Sequence, residues 1–305
     1  MTEASPRPLT LRSYRFATAF TLGAVLLGSA VCATESGQAC PTWPGCFPGQ
    51  VTPDELHSAI EFTHRVVAFG SLVTLGWASW QGRHLSDRRL RWFPVVALVA
   101  AIASGAFGMM IVLFSLPLAL GVLDVAAAQV ALCLITWATV RLRRPGRTGR
   151  VGWLAWTATA AVIAMHLLGI VVAGSGSLVR CLGWPVWRIV ATDGSPLLQW
   201  TRLALGLVAG VLLVLVVLRA WSQERLRVVA GALAAAWIIE LLLGQLIVAQ
   251  FTGEEARHLG LAGTYSMLAG LIVWLLALVA SRADAVEPMS PVVHPYDHAG
   301  RGQAI

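Results

Sequence analysis

The sequence predicts an all-α polytopic membrane protein, with eight transmembrane helices arranged as two parallel-repeat four-helix bundles. Three observations carry this expectation. Of 305 residues, 57% are hydrophobic and only 12% charged, well below the quarter that is usual in a soluble domain. Apolar stretches long enough to cross the roughly 30 Å hydrocarbon layer recur along the chain. Two segments offset by 141 residues also align without a gap.

A cytoplasmic N-terminal segment, residues 1–15, precedes the first span, Phe16 to Ala33. This span is longer than the apolar region of a cleavable leader, so it reads as a helix that stays in the membrane. Spans two to four run Ala59 to Trp80, Phe93 to Phe114 and Leu116 to Val140, completing an N-terminal bundle, 16–140, with a cysteine loop at 35–58. A cytoplasmic linker, 141–152, leads to the C-terminal bundle, 153–280. Its spans are Trp153 to Ala173, Leu197 to Leu218, Val228 to Ala249 and Leu259 to Ala280. The loops after spans one and five are rich in Gly, Pro, Trp and Ser, as irregular extramembrane segments should be. The tail, 281–305, has little apolar content from Val286 onward and reads as a disordered cytoplasmic end.

The chain has 22 arginines, no lysine and a net charge of +7. With eight spans, 17 arginines fall on one side, among them Arg83, Arg88, Arg141 and Arg143, while the opposite loops hold only Arg180, Arg188 and Arg257. Short arginine-rich loops stay cytoplasmic, so both termini are expected inside and the cysteine loop outside the cell (plasma) membrane. The basic balance thus reports topology, and no nucleic-acid partner is expected.

The 141-residue offset brings Gly28, Cys40, Trp43 and Pro44 onto Gly169, Cys181, Trp184 and Pro185. An offset of four spans keeps the two halves in the same orientation, unlike the inverted repeats of many transporters. Within the loop, Cys40-Pro-Thr-Trp-Pro-Gly-Cys46 reads as a disulfide in an oxidising compartment, with a redox-active thiol pair as the alternative. No Cys-x-x-Cys-His occurs, so covalent haem attachment has no support.

Ionisable side chains inside the membrane cost a few kcal/mol each and demand a partner or a task. The candidates are Glu61, His64, Arg65, Asp124, His166, Arg202 and Glu240. In Glu61-Phe-Thr-His64-Arg65 the spacings of three and four bring the polar groups onto one helical face. An imidazole there can ligate haem iron, a carboxylate can move protons, and an arginine can pair with a propionate or with Glu61. A structural polar network is the plainer reading. His166 is expected to be packed and hydrogen-bonded, Glu240 to bond between helices, and His258 to lie in a wet loop before span eight.

The cysteine loop, followed 15 residues later by Glu61-Phe-Thr-His64-Arg65, resembles the haem A synthase family, membrane enzymes that mature haem for cytochrome oxidase. The resemblance covers nearly the whole chain. It implies oxidation of the C8 methyl of haem O to a formyl group, with Glu61 as the acid/base group, His64 as the iron ligand, and Cys40 with Cys46 as a loop disulfide or redox pair. It also implies a haem O-producing enzyme, an electron donor protein and cytochrome oxidase assembly as partners. In that family each half presents two histidines. Here Asp124, Thr201 and Tyr265 stand at three of the four matching positions, and Arg202 beside Thr201 matches Arg65 beside His64. Tyr265 remains a conceivable iron ligand, as in the tyrosine-ligated haem of catalase. The expectation is therefore one haem on His64, with a second haem absent or weakly held. The alternative is a non-catalytic paralogue that binds or carries haem during oxidase assembly.

Overall fold

The computed structural model describes residues 8–43, 45–49, 52–114, 120–143, 148–172, 181, 183–184, 196–250 and 255–283. The predicted tail from 284 onward, Arg180, Arg188 and Pro185 lie outside the described residues. Among the described residues there is no β-strand. The helices are α1 Pro8–Ala33, α2 Leu56–Gly82, α3 Arg88–Phe114, α4 Leu120–Arg143, α5 Arg150–Val172, α6 Pro196–Trp221, α7 Arg227–Gln250 and α8 Glu255–Arg282. Seven of them are long and apolar enough to cross a membrane, the exception being α2. At 27 residues, α2 is about 40 Å long at 1.5 Å per residue, so length does not disqualify it. Its Glu61, His64, Arg65 and Gln81 dilute its apolar content.

Several helices overrun the predicted spans. Helix α1 begins at Pro8 rather than Phe16, and α3 at Arg88 rather than Phe93. Apolarity marks the width of the hydrocarbon, whereas helical hydrogen bonding continues into the polar interface, where arginine side chains reach water. For the same reason His258 belongs to the first turns of α8, a correction to its expected place in a loop.

Helix α1 packs on α2 and α4, and α3 packs on the same two. Helix α5 packs on α6 and α8, and α7 likewise, while α8 also meets α1 and α4. Among the described residues, buried apolar clusters fill these contacts, one around Tyr14, Leu75 and Ile135, a larger one around Val162, Leu213, Leu233 and Leu276, and a small one of Ala33, Cys181 and Ala262. Exposed Leu197, Leu207 and Val228 form part of the apolar outer surface.

One local arrangement ties α1 to α3. Pro94 lies inside α3 and has no N–H to reach the Leu90 carbonyl four residues back. The Tyr14 hydroxyl on α1 supplies the missing donor at 2.6 Å. Gly82 makes room for it, because a Cβ there would come within 2.3 Å of the Tyr14 hydroxyl oxygen. At this end of the molecule the Thr18 and Thr139 hydroxyls bond at 2.7 Å, and the Gly149 N–H donates to the Ala283 carbonyl at 2.9 Å. The opposite end carries both disulfides, Cys40–Cys46 and Cys32–Cys181.

Candidate functional site

The predicted Glu61, His64 and Arg65 occupy the first three turns of α2, under the cysteine loop. Cys40 and Cys46 are bonded, which closes the loop as expected. Side chains of α2 grip it from below: the Ser58 hydroxyl donates to the Ala39 carbonyl at 3.2 Å and His57 Nδ1 meets the Ser36 hydroxyl at 2.9 Å, beside Glu61 and Arg65. The Cys40 N–H donates to Glu61 Oε2 at 2.8 Å. Arg65 Nη1 donates to the carbonyls of Thr42 at 2.5 Å and Gly45 at 2.9 Å, and Nη2 to that of Cys40 at 3.2 Å. Arg65 Nη2 also pairs with Glu61 Oε1 at 2.5 Å. The i, i+4 spacing on α2 brings the two charges together, and the planar guanidinium spreads its donors over three loop carbonyls. Glu61 is only 3% exposed, so a buried carboxylate is matched by a charge and a backbone donor.

His64 points inward, against α1. A Cβ on Gly28 would lie 3.0 Å from His64 Cε1, so the missing side chain at Gly28 is what lets the ring sit there. His64 Nδ1 is buried with no hydrogen-bond partner, while the ring also meets the backbone of Ala24 on α1 within hydrogen-bonding range. On α4, Asp124 accepts from the Ser104 hydroxyl of α3 at 2.5 Å. The helix segments around these groups are loosely enclosed: none of residues 62–70 of α2, 98–114 of α3 or 121–128 of α4 is buried. The tightly packed cluster of this half instead contains Leu75, Ala97 and Ile135, further along the same helices.

The C-terminal half differs. Tyr265 is buried and its hydroxyl donates to the Trp184 carbonyl at 2.5 Å. Arg202 Nη2 donates to the Gly183 carbonyl at 2.9 Å. Glu240 was expected to bond between helices; instead it accepts from the Trp184 N–H at 3.0 Å, because an irregular segment buried in this half brings its own unsatisfied amides. His166 is packed as expected, yet both ring nitrogens lack a hydrogen-bond partner, which corrects the bonded histidine read from sequence. Thr201 is exposed, and its hydroxyl donates to the Leu197 carbonyl of its own helix. Beside this region an apolar groove of about 500 Å³ runs along α6, lined by Leu203, Gly206, Gly210, Val214, Trp184 and Trp237 among others.

Sequence reasoning missed Ser104, the Gly28 notch and the disulfide between Cys32 and Cys181. A buried amide was missed as well: Gln129 of α4 has neither amide atom partnered. Among the described residues no group of three or more His, Cys, Asp and Glu side chains is placed to hold a metal ion. The fold and its apolar helices define a multi-pass membrane protein. Neither the protein-family models nor the curated proteins compared with this chain give a match.

Proposed function

We propose that this chain is a divergent haem A synthase-like protein that binds one haem in its N-terminal half through His64. The observation that carries the proposal is the inward-facing His64 ring on Gly28, one nitrogen of which, Nδ1, is buried without a hydrogen-bond partner. The residues present fit such a group: one imidazole, a carboxylate on Asp124 oriented by Ser104, and a disulfide-closed loop above. A bound haem supplies redox chemistry that none of the side chains provides. The chain's own contribution is to offer the ligand, to cover the site with the loop clamped by Glu61 and Arg65, and to exclude bulk water. In the active form of this reading the substrate is haem O, whose C8 methyl would be oxidised to a formyl group by two successive hydroxylations. Each consumes one dioxygen, two protons and two electrons from a donor protein and releases water, and the resulting gem-diol loses a further water to give the formyl. A haem O-producing enzyme and cytochrome oxidase assembly then stand on either side of the reaction. The arginine distribution supports a plasma-membrane orientation with cytoplasmic termini and the disulfides outside, and the 141-residue offset supports two parallel four-helix halves.

The second reading, a non-catalytic haem carrier, has one specific observation in its favour. Both carboxylate oxygens of Glu61 are committed, one to Arg65 and one to the Cys40 amide, which leaves a structural task for the residue assigned acid/base work. The test is haem content and visible spectrum of the purified protein, with and without His64→Ala. One haem lost on that change supports the site, and no Soret absorption after reconstitution removes both readings. Co-expression with a haem O source separates them: haem A appears if the chain is the enzyme, and bound, unconverted haem O is found if it is a carrier.

A further inference from the structure

The polar side chains of the C-terminal half are arranged around a piece of backbone. Ser266 of α8 donates its hydroxyl to the Cys181 carbonyl. Arg202 of α6 donates to the Gly183 carbonyl, Glu240 of α7 accepts from the Trp184 N–H, and Tyr265 of α8 donates to the Trp184 carbonyl. All four side chains are buried. Arg202 also lies within electrostatic reach of Glu240. Each of these four side chains thus meets a main-chain polar group that would itself be costly in the membrane interior, while Glu240 Oε2 is left without a hydrogen-bond partner.

Shape selects the segment as closely as hydrogen bonding does. A Cβ at Gly183 would fall 2.3 Å from Tyr265 Cε1, so only glycine lets the backbone lie against that ring. The Trp184 indole meets Trp237 edge-on, with centroids 5.4 Å apart, and reaches Gly210, where a Cβ would be 3.5 Å from its ring. Gly210 lies about 21 Å along α6 from Pro196 at 1.5 Å per residue, which puts the indole deep among the helices. Trp184 is 8% exposed, whereas Trp43, its counterpart at the 141-residue offset, is 50% exposed. The bond from Cys181 to Cys32 of α1 anchors the start of the segment.

We infer that Arg202, Glu240, Tyr265 and Ser266 form a peptide-binding site whose ligand is the chain's own backbone at Cys181, Gly183 and Trp184, and that this occupant keeps a porphyrin out of the C-terminal half. The second clause rests on the haem reading proposed above; the first does not. A macrocycle between α6 and α8 has to displace Gly183 and Trp184 and release the Tyr265 hydroxyl from its carbonyl. The neighbouring groove offers no substitute site, because the residues lining it are all apolar and include no iron ligand.

Two measurements on the full-length, oxidised protein test this. Hydrogen exchange followed by mass spectrometry is expected to show strong protection of the Trp184 amide. Protection should fall about tenfold in Glu240→Met, the equivalent of one lost hydrogen bond to a charged group. Tyr265→Phe, which keeps the ring against Gly183, gives a milder loss and stands in if Glu240→Met does not fold. Exchange of this segment at the rate of a free loop in the unmodified protein overturns the peptide site. Haem counting is expected to give one haem per chain, lost in His64→Ala and retained in Tyr265→Phe. Two haems, or a single haem that survives His64→Ala and disappears in Tyr265→Phe, overturn the exclusion. A protected segment in a protein that takes up no haem upholds the peptide site and refutes the haem reading.

Discussion

Replacing Arg65 by alanine tests the loop clamp most directly. The change removes three hydrogen bonds to loop carbonyls and the ion pair with Glu61. It leaves the Glu61 carboxylate, 3% exposed, with the Cys40 amide as its remaining partner. Stranding one charge of a buried pair costs about 3–5 kcal/mol, most of it desolvation that is no longer offset. Arg65→Lys restores the charge but not the planar fork, so it recovers only part of the loss. Adding Glu61→Gln to Arg65→Ala removes the stranded charge, and the double variant is expected to be more stable than Arg65→Ala by roughly 1–3 kcal/mol. Reversible unfolding in mixed micelles gives the energies, and hydrogen exchange of the 36–43 peptides reports the loop. An Arg65→Ala protein within about 0.5 kcal/mol of the parent, with Cys40 as protected as before, refutes the clamp.

Tyr14→Phe leaves the Leu90 carbonyl without the donor that Pro94 cannot provide, at a cost of about 1–3 kcal/mol, and the cost should shrink in a Pro94→Ala background, where the helix supplies its own N–H. A thermal-melt double-mutant cycle checks this, and strict additivity contradicts it. The two disulfides close segments of very different length, with sequence separations of 149 and 6 residues. Chain entropy therefore assigns up to about 5 kcal/mol to Cys32–Cys181 and about 2 kcal/mol to Cys40–Cys46. Paired Cys→Ser variants should fall in that order in a denaturation series. At Gly152 a Cβ would press on the Ala280 and Ala283 carbonyls at 2.9 and 3.0 Å, whereas at Gly105 nothing lies within 4 Å. Gly152→Ala should thus destabilise by about 1–3 kcal/mol and Gly105→Ala should stabilise by up to about 1 kcal/mol through helix propensity, both read from unfolding midpoints.

The helices were legible because twenty apolar residues in a row leave the backbone one way to satisfy itself in hydrocarbon. The Glu61–Arg65 pair was legible for a similarly local reason, since residues four apart on a helix are neighbours whatever the fold. What Arg65 does with its remaining donors was not, because loop carbonyls have no sequence signature. Cys32 was hidden inside an apolar span, and its partner stands 149 residues away, so it is the packing of the end of α1 against α8, with Ala33 and Ala262 clustered on Cys181, that brings the two cysteines together. Arg202 and Glu240 announced that each needed a partner. The partner is main chain at Gly183 and Trp184, and every residue has main chain, so residue type could not point to it.

The same pairing of one guanidinium and one carboxylate with cysteine-loop backbone occurs in both halves, and depth separates them. Glu61 and Arg65 share one helix and meet the loop at its end, so the loop stays above the helices and its Trp43 faces outward. Arg202 and Glu240 stand on different helices, and the segment they hold lies between them with Trp184 reaching Gly210. A non-helical backbone that deep is tolerated only when its polar groups are satisfied by protein. That requires the further donors from Tyr265 and Ser266, and it consumes them. The shallow loop is held by its pair on α2, with Ser58 and His57 of the same helix bonding its Ala39 carbonyl and Ser36 hydroxyl. Two halves aligned at one offset can therefore end with one loop buried among its helices and the other held above them, and the difference is set by how far each loop descends.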